Sequence, residues 1–190
     1  TLWGGILGED GPNNIELGES FPGNIYKDFQ RSILSIRNLG IFIAIATKND
    51  EKEVIEFMNN NKDCLLKPKH ISAFKANWND KASNMEQIAK DLNIGTDSFV
   101  FIDDDKTNRE LIRQMNPEIL VVDLPRDTSQ YVNVLQKLKV FNQFSITEDD
   151  YKRGKSYVSQ KKRKNFESSS KDLSSFLKNL EIKIFVKHSD

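Results

Sequence analysis

One cysteine, Cys64, stands in 190 residues, so no disulfide can form within the chain and a reducing compartment suits it. Histidine is nearly as scarce: His70 and His188, even taken with Cys64, make no zinc-binding spacing. No apolar run approaches the roughly 20 residues that span a bilayer, and no secretory h-region is present. Charge of one sign is missing too, since Lys plus Arg and Asp plus Glu number 28 each. Without a net field, neither nucleic acid nor an anionic membrane is an expected partner. These absences leave the expectation of a cytoplasmic protein long enough for one sizeable core.

What is present is a pair of short apolar runs that each end in polar chemistry. Phe99-Val100-Phe101-Ile102 stops at Asp103-Asp104-Asp105, consecutive carboxylates that repel one another. Ligands of parallel α/β sheets sit at the carboxyl ends of strands, and a divalent cation makes such a cluster tolerable. Asp103 and Asp104 are therefore read as magnesium ligands. The alternative is a polar strand-to-helix loop with Asp105 as the helix N-cap. The second run, Ile41-Phe42-Ile43-Ala44-Ile45-Ala46, reads as a buried parallel strand and stops at Thr47-Lys48-Asn49-Asp50. Thr47 then offers a hydroxyl at the same sheet edge, suited to a phosphate oxygen or simply to capping. Between the runs, Asp80-Lys81 heads a helix over Asn84 to Leu92. A lysine at a helix start opposes the dipole, so a phosphate and an aspartate are expected to hold Lys81 there. Taken alone, it reads as a solvated surface lysine.

The order Thr47, Lys81, Asp103-Asp104 resembles motifs two, three and four of haloacid-dehalogenase-type phosphatases. It differs from receiver domains, where the acidic pair comes first. Longer strings are more specific: Thr1-Leu2-Trp3-Gly4-Gly5, Gly8-Glu9-Asp10-Gly11, Phe29-Gln30, Thr47-Lys48-Asn49-Asp50, Asn77-Trp78-x-Asp80-Lys81-Ala82 and Phe101-Ile102-Asp103-Asp104. With Leu92-Asn93-Ile94-Gly95 and Ile146-Thr147-Glu148-Asp149-Asp150, they resemble the FkbH-like family of polyketide-type assembly lines.

The resemblance implies a Mg2+-dependent phosphatase and glyceryltransferase. It would dephosphorylate the small acyl phosphate 1,3-bisphosphoglycerate and load the glyceryl unit on the phosphopantetheine of an acyl carrier protein. Thr47 would orient the phosphate and Lys81 neutralise it. Asp103 would touch the metal, with Asp104 catalytic and acting at the metal through water, while Thr1, Trp3, Lys48 and Asn49 would contact substrate. The nucleophilic aspartate of Asp-x-Asp-x-Thr would stand four residues before Thr1, so the chain alone is expected to be an inactive, N-terminally truncated fragment. A plain phosphatase on a small phosphate ester and a non-catalytic carrier-docking domain are the alternatives. A thioester step would also want a cysteine, but Cys64 reads as a buried small hydrophobe.

Strands alternating with helices imply a parallel sheet with helices on both faces, which the resemblance makes haloacid-dehalogenase-like, Rossmannoid and capless. The first twenty residues, rich in Gly, Asp and Asn, read as a flap over the site. In it Trp3 is either a substrate wall or packing beneath Gly4-Gly5. Tyr26, Phe29, Ile33, Ile36 and Leu39 mark a helix stopped by Gly40. Val54, Ile55 and Met58 mark another, and Arg109 to Met115 a third. Leu65-Leu66 suggest a third strand before Lys67-Pro68, and Ile119 to Val122 a further one. With the resemblance's central strand upstream of Thr1, the expected order is 119–122, 98–102, a gap, 41–46, 64–67.

Residues 1–145 are expected to form the core and 146–190 a helical extension. That extension reads as a polar helix over 147–166, an amphipathic helix through Leu173 and Leu180, and an alternating strand from Ile182 to Val186 that opens a possible following domain. Its run Lys161-Lys162-Arg163-Lys164 is either a solvated face or a docking surface for an acidic carrier.

Overall fold

Four strands carry the site, and each is only four residues long: β1 (Ala44–Thr47), β2 (Ala73–Ala76), β3 (Val100–Asp103) and β4 (Leu120–Asp123). The computed structural model describes residues 1–141. The readings of the extension, of Lys161 to Lys164 and of the boundary at 145 lie outside the described residues. The helices are α1 (Leu7–Asp10), α2 (Gly23–Asn38), α3 (Glu51–Asn60), α4 (Lys81–Leu92), α5 (Lys106–Met115) and α6 (Tyr131–Lys137). Among the described residues no helix is long and apolar enough to cross a membrane.

The strands form two parallel pairs. In one, Ala44 lies opposite Ala73 and Thr47 opposite Ala76; in the other, Val100 lies opposite Leu120 and Asp103 opposite Asp123. β1 and β3 are not hydrogen-bonded to each other, as the expected order required. A cavity of about 820 Å³ is lined by both strands and by Ile33, Met85 and Ile88.

The third strand is not Leu65-Leu66 but Ala73–Ala76. The reason is a side chain: Gln30 Oε1 accepts from the backbone N–H of Leu65 at 2.8 Å and of Leu66 at 3.0 Å, so these donors are spent before any ladder can form. The chain then turns through a 3₁₀ segment, Pro68–His70, and pairs with β1 afterwards.

Each of the helices α3, α4 and α5 starts on an aspartate. Asp50 accepts from Lys52 N and Glu53 N, Asp80 from Ser83 N, and Asp105 from Thr107 N, at 2.7–3.2 Å. Such caps satisfy helix donors that have no internal partner. Asp105 is thus the N-cap expected of it. The Asp80 cap starts α4 at Lys81, three residues before Asn84.

Period-two alternation then divides the side chains between two helical layers. Ile45 and Phe74 pack with Val54, Phe57 and Met58 of α3 and with Ile33 of α2. Val100, Ile102 and Val122 pack with Phe29 of α2 and with Tyr131 and Leu135 of α6. α4 and α5 pack on the strands and on each other. The expected flap is an antiparallel bridge between Gly4 and Glu16 that encloses α1. Among the described residues no cap domain is inserted.

Candidate functional site

The carboxyl ends of β1 and β3 bring the expected residues to one cavity. Thr1, Trp3, Thr47, Asn49, Lys81, Asp103 and Asp104 all line it, while Lys48 is exposed and does not. Thr47 is the last residue of β1, Asp103 the last of β3, and Lys81 the first of α4.

Lys81 and Asp103 form an ion pair, Nζ to Oδ2, with side chains only 15% and 3% exposed. This pairing accounts for a lysine at the positive end of a helix. A buried ion pair is a poor source of stability, because desolvation offsets most of the attraction. What it does is hold an ammonium and a carboxylate at a fixed place beside the cavity.

Asp103 is gripped from its own loop as well. Its Oδ1 accepts from Asp105 N at 2.8 Å, and its Oδ2 accepts from Asn108 Nδ2 at 3.3 Å. Arg109, 8% exposed, donates from Nη1 to the carbonyls of Asp103 and Asp104 at 2.8 and 2.9 Å. Its Nε lies 3.3 Å from Asp123 Oδ1 without hydrogen-bond alignment, so that contact is electrostatic. The acidic turn is therefore bolted to α5 through its backbone, which leaves the carboxylates to face the cavity. Sequence reasoning missed Asn108 and Arg109. The available signal was a cation in the first turn of a helix that follows three acids.

Asp104 Oδ1 accepts from the Thr1 hydroxyl, whose oxygen in turn accepts from Asp104 N at 3.3 Å. Burial raises the Asp104 carboxyl, and the hydrogen bond from the Thr1 hydroxyl acts in the opposite direction. Trp3 packs edge-to-face on Phe57 with ring centres 4.9 Å apart, so the flap is seated on α3 by an aromatic contact. Asn49 has both ends of its amide engaged, donating to Thr47 Oγ1 at 2.8 Å and accepting from Gly8 N at 3.2 Å.

Cys64 lies away from this chemistry. It is 1% exposed, its thiol donates to Leu66 O at 3.2 Å, and burial pushes it up to about 11. That is the inert, buried small residue expected from the sequence.

Among the described residues no three His, Cys, Asp or Glu side chains converge into a ready-made cation cage. Magnesium does not require one, since it commonly binds through one or two carboxylates plus phosphate oxygens and water. A carboxylate has roughly four acceptor sites. Three bonds occupy Asp103, which leaves capacity on Oδ1, and Asp104 Oδ2 accepts none of the bonds described above. The donor set fits an open, phosphate-completed magnesium site.

No family model matches the chain, and no curated protein does. Among solved structures, it is similar to the N-terminal part of the protein BF1531 from Bacteroides fragilis, which contains a phosphatase domain and was crystallised with Mg. The two are 38% identical with a TM-score of 0.73 over 76% of this chain, and the chain spans 39% of that structure. The fold is accordingly the α/β fold of a phosphatase domain, in agreement with the haloacid-dehalogenase-like expectation.

Proposed function

We propose that this chain is the phosphate-handling part of a magnesium-dependent phosphatase. The observation that carries the reading is the Lys81–Asp103 ion pair, set where the ends of β1 and β3 bring Thr47 and Asp104 to the same cavity. The similarity to a phosphatase domain crystallised with Mg supports it. Asp103 and Asp104 would hold the metal, which when bound offsets charge on the transferring phosphoryl group. Lys81 places a cation on the phosphate oxygens from a partly dehydrated position, where its charge counts for more than in water. Thr47 donates its hydroxyl to another oxygen and so orients the group for displacement.

The finer reading is an FkbH-like reaction: 1,3-bisphosphoglycerate loses phosphate, and its glyceryl unit passes to the phosphopantetheine thiol of an acyl carrier protein. A cytoplasmic site of action goes with this reading. Two bonds break. The thiol attacks the C1 carbonyl, whose C–O bond to the acyl phosphate breaks as the thioester forms and the thiol proton leaves to solvent. The C3 phosphate ester is hydrolysed at the phosphatase site, its P–O bond breaking with water as the final acceptor of the phosphoryl group. The quoted motif strings support this reading, as does the lack of an inserted cap domain among the described residues.

The test is to incubate the full-length protein with magnesium, 1,3-bisphosphoglycerate and a phosphopantetheinylated carrier protein. Phosphate release and the carrier's mass are then followed together. Both should change, and both should fall about 10²- to 10³-fold or more in Lys81→Ala and Asp103→Asn. Phosphate release without a carrier adduct would reduce the function to a plain phosphatase. Carrier binding with no phosphate release under any metal condition would leave a docking domain and overturn the proposal.

A further inference from the structure

Two residues beyond Thr47, one amide joins the strand end to the flap. Asn49 Oδ1 accepts from the backbone N–H of Gly8 at 3.2 Å. A backbone N–H can only donate, so this contact decides which end of the amide is oxygen. Asn49 Nδ2 then faces Thr47 Oγ1 at 2.8 Å, and having no lone pair to offer it must donate. The Thr47 oxygen is the acceptor there, and its own hydrogen has to point elsewhere. Among the described residues no acceptor takes that hydrogen, and Thr47 lines the same cavity as Lys81 and Asp103.

From this geometry we infer that Asn49 is a positioning residue: it holds the Thr47 hydroxyl as a donor for a phosphate oxygen, and it does so only while the flap carrying Gly8 is seated. The inference rests on the phosphate-handling reading of the site. A phosphate dianion presents acceptors only, so a hydroxyl preset as a donor is matched to it, whereas one free to rotate spends part of its time in the wrong sense. The dependence on the flap follows from the same bond. Once Gly8 leaves, the Asn49 amide is free to turn its oxygen toward Thr47 and take the hydroxyl hydrogen for itself. The flap has its own local bracing, from Ile6 N to Asp10 Oδ2 at 2.6 Å and from the Gly4–Glu16 bridge. Trp3, Leu7 and Ile15 pack it against α3, and phosphate bound at Thr47 favours this seated position by mass action.

The probe is inorganic phosphate, titrated by calorimetry into the full-length protein with magnesium present. Asn49→Ala, with Asn49→Ser as a second variant should the first fold poorly, is expected to weaken phosphate about fivefold, part of the worth of one hydrogen bond to a charged group. In a Thr47→Val background the same change should shift affinity by less than about twofold, because the residue acts through Thr47. Phosphate should slow hydrogen exchange at the Gly8 amide in the unsubstituted protein and not in Asn49→Ala. Equal losses in both backgrounds, no loss in either, or a Gly8 amide indifferent to phosphate would overturn the inference. Phosphate binding that falls in Lys81→Ala but not in Asn49→Ala would do so while leaving the phosphatase reading intact. Failure of the unsubstituted protein to bind phosphate would overturn both.

Discussion

The side-chain amides of Asn77 and Asn84 exchange two hydrogen bonds of 3.1 Å, one in each direction. Asn77 follows β2 and also donates its backbone N–H to Thr47 O at 3.0 Å, while Asn84 is 1% exposed and one turn beyond Lys81 on α4. This reciprocal pair thus ties the end of β1, the turn carrying Trp78 and the helix that delivers Lys81 to Asp103.

Replacing Asn84 by Ala should strand the Asn77 amide in a half-buried place and cost about 1–3 kcal/mol. Urea denaturation should show a lower midpoint at an unchanged slope. An unaltered midpoint would mean that the pair holds nothing together.

Gln30 has no exposed surface, and it donates to Leu2 O at 2.8 Å while accepting from Leu65 N and Leu66 N. Gln30→Leu keeps the approximate volume and orphans three backbone groups, so a loss on the order of 3 kcal/mol or more is expected. The same denaturation measurement checks it. A loss under about 1 kcal/mol would show that water or a relaxed loop replaces the amide.

Cys64 should resist iodoacetamide in the folded protein at neutral pH and react only on unfolding. Burial raises its folded value from 9.0 to about 11, so the folded state keeps a proton that the unfolded state has lost between those values. Its contribution to stability is complete below pH 9.0 and declines as pH rises toward about 11. Comparing alkaline denaturation of the unsubstituted chain with Cys64→Ala isolates it, since the variant should lose that part of the slope.

Much of the local organisation is legible in the sequence. Asp105 capping α5, Gly40 closing the long helix with φ +86°, and the two apolar runs ending at Thr47 and Asp103 all depend on residues near one another in the chain. The misread element, Leu65-Leu66, shows where that reach ends. Two leucines after a loop have the composition of a strand, yet a glutamine 35 residues upstream takes the N–H of Leu65. The strand that forms instead, Ala73–Ala76, has an undistinguished apolar pattern and is selected by its register against β1.

What the sequence by itself determined is therefore the chemistry and its order: a hydroxyl, an ammonium and adjoining carboxylates, each placed at the end of an element by short-range capping and burial. What only the tertiary structure decided is who holds whom. Lys81 meets Asp103 across 22 residues, Asn49 meets Gly8 across 41, and Arg109 grips the carbonyls beneath the acids from within a helix whose side-chain directions no spacing rule specifies. Those contacts depend on how the helical layers pack on the strands. The free energy of each is set by the desolvated surroundings that packing creates, and not by the residues' positions along the chain.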